Sequence, residues 1–135
     1  MNQKTSPETE FLNEVTVGAV GEEASEENSA FESLCASLAE IRKLKGVTGY
    51  ILRSNASAII DVADSDKIFQ FAVLTSEIHE SSIELAKQFN LGEMESVLLE
   101  GENIKVLCLS MDDNRIDVFM EKSANHVSIV KGILL

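Results

Sequence analysis

The sequence predicts an α+β domain, a three-layer sandwich in which helices cover both faces of a five-stranded antiparallel sheet. Apolar residues recur at helical spacing before residue 45, over residues 66–90 and after residue 123, and five short strand-like segments separate these stretches. The segment 104–110 carries apolar residues on both of its faces, which indicates a sheet covered on both sides. The predicted order is helix, two strands, helix, three strands, helix.

The first helix and the first two strands are marked by the residues that flank them. Apolar residues at helical spacing occupy residues 31–44, and Gly46 is expected to end this helix because glycine adopts the left-handed conformation at low cost. Strands are predicted at residues 49–52 and 58–62, where β-branched and large apolar residues dominate. Residues 54–57 have the length and composition of a hairpin turn.

The long helix over residues 66–90 carries two apolar seams rather than one. The bulky seam comprises Phe71, Leu74, Ile78, Leu85 and Phe89. The small seam comprises Ile68, Ala72, Thr75, His79 and Ala86, with Ile83 on its flank. A helix that only covers its own sheet needs a single seam, so the second seam indicates either deep burial within the chain or a dimer interface. We expect the dimer interface, because small residues let a second helix approach closely.

Three strands and a final helix are predicted after the long helix. The strands span residues 94–100, 104–110 and 115–120, and the turns between them are rich in Asn and Asp or contain Gly. Ser123 is expected to cap the final helix. The inward-facing residues of this helix are predicted to be Val127, Val130 and Leu134.

The charge distribution separates an acidic tail from the domain and excludes several classes of partner. The formal net charge is −12, and residues 1–29 contribute seven Glu and one Lys to it. Residues 1–29 are predicted to be a disordered tail whose apolar stretch at 11–20 is able to dock on another surface, and residues 30–135 form the domain. A chain this acidic repels nucleic acid and anionic membranes. Membrane insertion is not expected either, because no apolar run approaches the roughly 20 residues that span a bilayer.

The cysteines and the N-terminal residues indicate a cytoplasmic protein. Cys35 and Cys108 stand alone among apolar neighbours, which is typical of reduced and buried thiols. Residues 1–5 lack the apolar core of a secretory signal.

The sequence shows no recognisable pattern for catalysis or for binding a metal or cofactor. It contains no Gly-x-x-x-x-Gly-Lys-Ser/Thr motif, so the chain is not itself a P-loop GTPase. Its two histidines, His79 and His126, are far apart in sequence, and neither has neighbouring cysteine or acidic residues at metal-ligand spacing. No catalytic, cofactor-binding or metal-binding residue is therefore predicted. His79 is expected to be a packed or interface residue, and His126 to serve packing or helix capping.

Three segments, in their order and spacing, resemble the roadblock/dynein light chain family. They are Leu44–Leu52 at the first strand, Leu85–Met94 at the end of the long helix, and Ala124–Val130 in the last helix. The resemblance covers residues 31–134 and implies a profilin-like fold. It departs from the family in the first hairpin, where Asn55-Ala56 replaces the Asp-Gly often found there. Because Asn tolerates the left-handed conformation, the hairpin is still expected to form.

The resemblance implies a non-enzymatic homodimer that scaffolds, anchors or regulates a small Ras-like GTPase without a cofactor. The two sheets would join edge to edge through the third strand, and the long helices would pair across the same axis. The residues expected in this dimer interface are Ile68, Ala72, Thr75, His79, Ile83, Ala86, Met94, Ser96 and Leu98. The residues expected to face the GTPase, on the polar side of the long helix, are Gln70, Glu77, Glu80, Glu84 and Lys87.

Two other classes of function remain as alternatives. A PAS-like domain that senses a small ligand also combines five antiparallel strands with helices, but its usual order places several short helices where this chain has one long helix. A ligand-sized cavity in the core would favour that alternative. The third class is a small enzyme, for which this sequence lacks a catalytic constellation.

Overall fold

The computed structural model describes residues 25–134 and confirms the predicted architecture. The three helices are α1 (Ser25–Ile41), α2 (Ile68–Gln88, preceded by a 3-10 turn at Ser65–Lys67) and α3 (His126–Leu134). The five strands are β1 (Val47–Arg53), β2 (Ala58–Val62), β3 (Ser96–Glu100), β4 (Ile104–Met111) and β5 (Asn114–Glu121). The helix α1 begins inside the segment that the sequence assigns to the acidic tail. The rest of that segment, residues 1–24 with the apolar stretch at 11–20, lies outside the described residues.

The strands form one antiparallel sheet in the order β2-β1-β5-β4-β3. The long central strands β4 and β5 pair along their whole length, which places Cys108 opposite Asp117. The edges of the sheet are β2 and β3. Within the described chain, β3 has a neighbouring strand on one side only, so the backbone groups on its other side form an open sheet edge.

The sheet separates two apolar cores, one under each helical layer. The first core lies under α1 and α3 and includes Leu38, Leu52, Ile116, Met120 and Ile129. The second core lies under α2 and includes Ile51, Ile68, Val106, Cys108 and Phe119. In the second core, Phe71 of α2 stacks on Phe119 of β5 with ring centroids 4.3 Å apart. Among residues 25–134, no helix combines the length and the apolar character that a bilayer crossing requires.

The β1–β2 hairpin forms as predicted, whereas the prediction of the residue that caps α3 is wrong. In the β1–β2 hairpin, Asn55 does not adopt the left-handed conformation. The turn is closed instead by Ser54, whose Oγ accepts hydrogen bonds from the backbone N–H groups of residues 56 and 57. At the start of α3 the capping residue is Asn125 rather than Ser123, since Oδ1 of Asn125 accepts from the N–H groups of residues 127 and 128.

The helix α3 also turns a different face to the core from the one predicted. Ile129 and Ile133 are buried, whereas Val127 and Leu134 are more than half exposed. Val130 is half-buried and packs against the first core. Both sets of residues recur at helical spacing, so the sequence offers two apolar stripes, and packing against the sheet selects the stripe with the isoleucines.

We predict that Gly49→Ala lowers the free energy of unfolding by about 1–3 kcal/mol, the usual cost of overpacking. Gly49 lies where β1 pairs with β2, and a Cβ there would be 2.6 Å from the carbonyl oxygen of Asp61 and 2.8 Å from Cα of Val62. The matched control is Gly132→Ala in α3, where the new Cβ would be 3.6 Å from the Ile41 side chain. This control should gain up to about 1 kcal/mol from helix propensity. Urea unfolding measures both changes, and a Gly49→Ala protein as stable as the parent would contradict the prediction.

Candidate functional site

The small seam of α2 faces the chain's own sheet. Ile68, Thr75, His79 and Ala86 are all buried within the single chain. The prediction that these four residues contribute to a dimer interface is therefore wrong for this structure. Small side chains do permit close approach, but the surface that approaches them is the sheet, on which α2 lies.

The bulky seam is the apolar flank that the fold leaves incompletely covered. Leu74 and Ile78 are half-buried against the second core, and further along the same flank Leu85 is about half exposed and Phe89 is 67% exposed. On the opposite flank of α2, Ser76 is hydrogen-bonded to Arg53 of β1. The bulky seam is therefore turned towards β3, at the open edge of the sheet.

The edge strand β3 continues this uncovered apolar surface. Val97 packs against the second core, and Leu99, which pairs with Val106 of that core, is nearly half exposed. Neither residue was among those predicted from the sequence to lie in the dimer interface. The other residues predicted for the dimer interface are half-buried or exposed to solvent; they are Ala72, Ile83, Met94, Ser96 and Leu98. For these five, a place in a dimer interface stays a prediction.

The polar face of α2 is exposed along its whole length. The five residues expected to face a partner protein are all exposed: Gln70, Glu77, Glu80, Glu84 and Lys87. Two apolar residues lie among them, Phe69, which is 77% exposed, and Val73 one turn later. The sequence analysis placed neither residue on this surface. The sequence does indicate this surface, because residues four positions apart share one face of a helix and this face lies outside both seams.

A hydrogen-bonded network of charged and polar side chains lies beneath α2 and fixes the helix on the sheet. Asp117 of β5 is fully buried, and its Oδ2 is 3.4 Å from Nη2 of Arg53. The same guanidinium group donates hydrogen bonds to Thr75 Oγ1 at 2.8 Å and to Ser76 Oγ at 2.9 Å. Nε2 of His79 is 2.7 Å from Oδ1 of Asp117. The network therefore joins β1, β5 and α2 through one carboxylate.

The geometry of this network indicates which of its atoms carry a hydrogen. A carboxylate oxygen only accepts, so Nε2 of His79 carries the hydrogen that is donated to Asp117. Nδ1 of His79 is buried and has no hydrogen-bond partner among the described residues. Burial raises the pKa of the Cys108 thiol, and the neighbouring Asp117 charge and a hydrogen bond to Asp117 raise it further. The thiol of Cys108 is thus a protonated donor and not a nucleophile.

The cluster of His79, Cys108 and Asp117 does not fit a metal ion. Their potential ligand atoms lie within 4.8 Å of one another. Two ligands of a tetrahedral zinc ion at ordinary bond lengths are separated by roughly 3.3 Å, whereas the His79–Asp117 contact of 2.7 Å is a hydrogen bond. Both carboxylate oxygens are engaged by cationic or N–H groups, and the thiol is protonated. The cluster is also fully buried, so no substrate reaches it.

The sequence indicates one part of this network, the buried carboxylate of Asp117. Asp117 stands between apolar residues in a strand of a sheet that is covered on both faces, so its side chain had to be buried. A buried carboxylate requires a charged or hydrogen-bonding partner. The chain offers three arginines and two histidines as candidates. The pattern therefore required a partner for Asp117, but it did not identify Arg53 and His79 as the partners.

A groove of about 880 Å³ opens at one corner of the sandwich. It lies where β3 begins and β4 ends, between the C-terminal half of α2 and the C-terminal end of α3. Buried Ala86 and Leu109 line its inner part. The groove lies outside the space between the middle of α2 and the sheet, where Phe71 and Phe119 stack.

We predict that Asp117→Asn lowers the free energy of unfolding by about 2–4 kcal/mol. Removing one member of a fully buried ion pair costs about 3–5 kcal/mol. We expect a smaller loss here because 26% of the Arg53 side-chain surface remains exposed to solvent. The control is Asp61→Asn, which removes the partly exposed pair between Asp61 and Arg42 and should cost at most about 1 kcal/mol. Chemical unfolding of both variants measures the difference. Equal losses would show that burial of the Asp117 charge is not the source of the effect.

Comparison with known proteins identifies the family of the sequence and structures with a similar fold. The sequence model of the Roadblock/LC7 domain matches residues 36–116. A Roadblock/LC7 domain structure from Streptomyces avermitilis has a TM-score of 0.60 at 14% identity, with 78% of this chain and 87% of that chain covered. The gliding protein MglB from Thermus thermophilus has a TM-score of 0.64 at 13% identity, with 88% and 87% covered, and an MglB structure with a tetrameric arrangement gives the same values. No curated protein matches the sequence. Since the family match spans more than half of the chain, this protein belongs to the Roadblock/LC7 domain family.

Proposed function

We propose that the protein is a homodimeric, non-catalytic regulator or scaffold of a small Ras-like GTPase. The observation that carries this proposal is the uncovered apolar surface that joins the bulky seam of α2 to the open edge strand β3. Exposed apolar surface of this kind, bordered by polar residues, is typical of protein–protein interfaces. The polar face of α2 stays free when that surface is covered, so one helix serves two contacts.

A second copy of the chain fits the apolar surface. In a two-fold arrangement each β3 would pair with the partner's β3, which gives the unpaired backbone groups of both edges hydrogen-bond partners. The same axis would bring the bulky seams together and cover Leu85, Phe89 and Leu99. We expect the joined surface to exceed roughly 1,000 Å² of buried area, the range of specific interfaces. The tetrameric arrangement of the MglB structure supports self-association in proteins of this fold.

The proposed GTPase partner rests on the resemblance to the roadblock/dynein light chain family, whose domain model matches residues 36–116. The face offered to it is acidic, with Glu77, Glu80 and Glu84 along α2, and it carries exposed Phe69 near the start of the helix. A partner surface with basic residues around an apolar socket would complement it. Such a contact regulates by changing which conformation of the partner is populated, and it needs no catalytic residue on this chain.

The arginines support a role without direct catalysis. Arg42 donates to the carbonyl oxygen of Val47 and pairs with Asp61, and Arg53 belongs to the buried network. Arg115 lies in β5, opposite Arg53 of β1. None of the three lies on α2. If the protein accelerates GTP hydrolysis, we expect it to do so by repositioning the partner's own loops.

The PAS-like alternative requires a ligand cavity inside the core. Between α2 and the sheet, the stacked rings of Phe71 and Phe119 and the network around Asp117 occupy the corresponding space. The large groove lies at a corner of the sandwich and is open to solvent. The geometry therefore favours a protein that binds other proteins over one that encloses a small ligand.

We predict a particle of twice the 14.8 kDa chain mass in light scattering at tens of micromolar protein. Leu85→Glu should convert it to a monomer, because the substitution places a charge in the proposed seam between the two α2 helices. Val127→Glu is the matched control, since Val127 is exposed to a similar degree on α3. A monomeric parent protein, or a dimer that survives Leu85→Glu, would contradict the proposed interface.

We predict that the immobilised protein captures a small Ras-like GTPase from its host. Glu77→Lys combined with Glu80→Lys should weaken that binding, because the exposed face then repels a basic partner surface.

If hydrolysis of GTP by the partner is stimulated, Arg42→Ala, Arg53→Lys and Arg115→Ala should each change the rate by less than about tenfold, whereas loss of an arginine finger costs roughly 10³–10⁵ in rate. Single-turnover GTP hydrolysis measures the rate. A loss of that size with binding retained would refute the non-catalytic role.

A further inference from the structure

The groove at the corner of the sandwich borders the surfaces proposed for the dimer and GTPase contacts. Its lining includes Ile83, Met94 and Ser96, which the sequence assigns to the dimer interface, and Lys87 of the face expected to meet the GTPase. It borders the flank of α2 that carries Ile83, whereas the bulky seam with Leu85 lies on the other flank. The strand β3 begins only at Ser96, opposite Leu109, so the last residues of β4 pair with β5 on one side and have no strand on the β3 side, where the groove lies. It therefore spans the end of the sheet, from the α2 layer to the α3 layer.

The inner surface of the groove is apolar. Ala86 and Leu109 form its buried part, and Ile83 and Val130 line it as half-buried residues. Leu134 of α3 is also part of the lining, although 60% of its surface is exposed to solvent. Large apolar side chains along a concave surface lose water contact when a complementary apolar group binds.

The polar residues around the groove are predominantly acidic. Glu93 and Glu95 precede β3, and Asp112 lies in the β4–β5 turn. Among residues 25–134, Lys87 is the single basic residue that lines the groove. All four are exposed, so the surroundings of the apolar surface carry two net negative charges in a protein that is itself strongly acidic. A cationic occupant is favoured and an anionic one is repelled.

We propose that the groove binds a short extended segment of a partner protein in which apolar side chains alternate with Lys or Arg. The apolar side chains contact the inner surface, and the basic side chains meet Glu93, Glu95 and Asp112. The chain's own apolar stretch at 11–20 is a poor occupant, because Glu10 and Glu14 accompany it and the acidic groove repels them. A groove open to solvent also suits a segment that continues beyond it better than a small molecule, which binding sites normally enclose.

The test uses the full-length protein and two fluorescein-labelled eight-residue peptides, one of alternating Leu and Lys and one of alternating Leu and Glu. Fluorescence anisotropy should show saturable binding of the Leu–Lys peptide and at least tenfold weaker binding of the Leu–Glu peptide. Glu93→Lys combined with Glu95→Lys should weaken binding of the Leu–Lys peptide by roughly tenfold, because two attractive charges become repulsive. The matched control is Glu77→Lys combined with Glu80→Lys, which makes the same charge change on α2 and should alter affinity by less than about threefold.

A second pair of variants tests the apolar contact. Leu134→Glu should weaken binding of the Leu–Lys peptide several-fold, whereas Val127→Glu, on the same helix and outside the groove, should have less effect. Equal losses in the two charge-reversal variants would overturn the proposal, because they would show that only net charge matters. Absence of Leu–Lys binding at millimolar peptide would overturn it as well. Tighter binding after Phe11→Glu and Leu12→Glu would also overturn it, because it would show that the chain's own tail occupies the groove.

Discussion

The carboxylate of Asp117 has no access to water, and the position of the long helix depends on how that charge is stabilised. A buried carboxylate without partners is strongly unfavourable, so the fold has to bring hydrogen-bond donors to it. The donors come from β1, through Arg53, and from α2, through His79. Arg53 also binds Thr75 and Ser76, one turn before His79. Sliding α2 by one turn or rotating it to its other seam would separate these groups from the carboxylate.

The surfaces of the molecule follow from this constraint. Because His79 and Thr75 must face the sheet, the bulky seam is rotated to the side of the helix and turned towards the edge strand β3. Large apolar residues such as Phe89 and Leu99 then remain exposed next to an unpaired sheet edge. Polar contacts thus fix α2 on the sheet inside the chain, and the apolar flank of the helix stays exposed, as the proposed dimer requires. Apolar burial is the larger driving force for association, at roughly 25 cal/mol per Å².

The three surfaces around α2 differ in chemistry, which allows one helix to serve different contacts. The flank towards β3 is apolar, the outer face is acidic with an exposed Phe69, and the groove at the C-terminal end combines an apolar inner surface with acidic surroundings. The apolar surface suits the second copy of the same chain that we propose. Acidic surfaces select against that copy, since the chain itself is strongly acidic, and favour basic partners.

The sequence by itself determined the element order, the two covered faces of the sheet and the presence of two seams on the long helix. These features are local, because hydrophobic period and turn residues act over neighbouring positions. It also left the polar face of α2 correctly exposed, from Gln70 to Lys87. Only the tertiary structure decided which seam faces the sheet, which stripe of α3 is buried, and which donors reach Asp117. For α2 and α3 the sequence contains two sets of residues with equally good spacing, and for Asp117 it contains several possible partners. The choice depends in each case on contacts such as Arg53–Asp117, between residues that are distant along the chain.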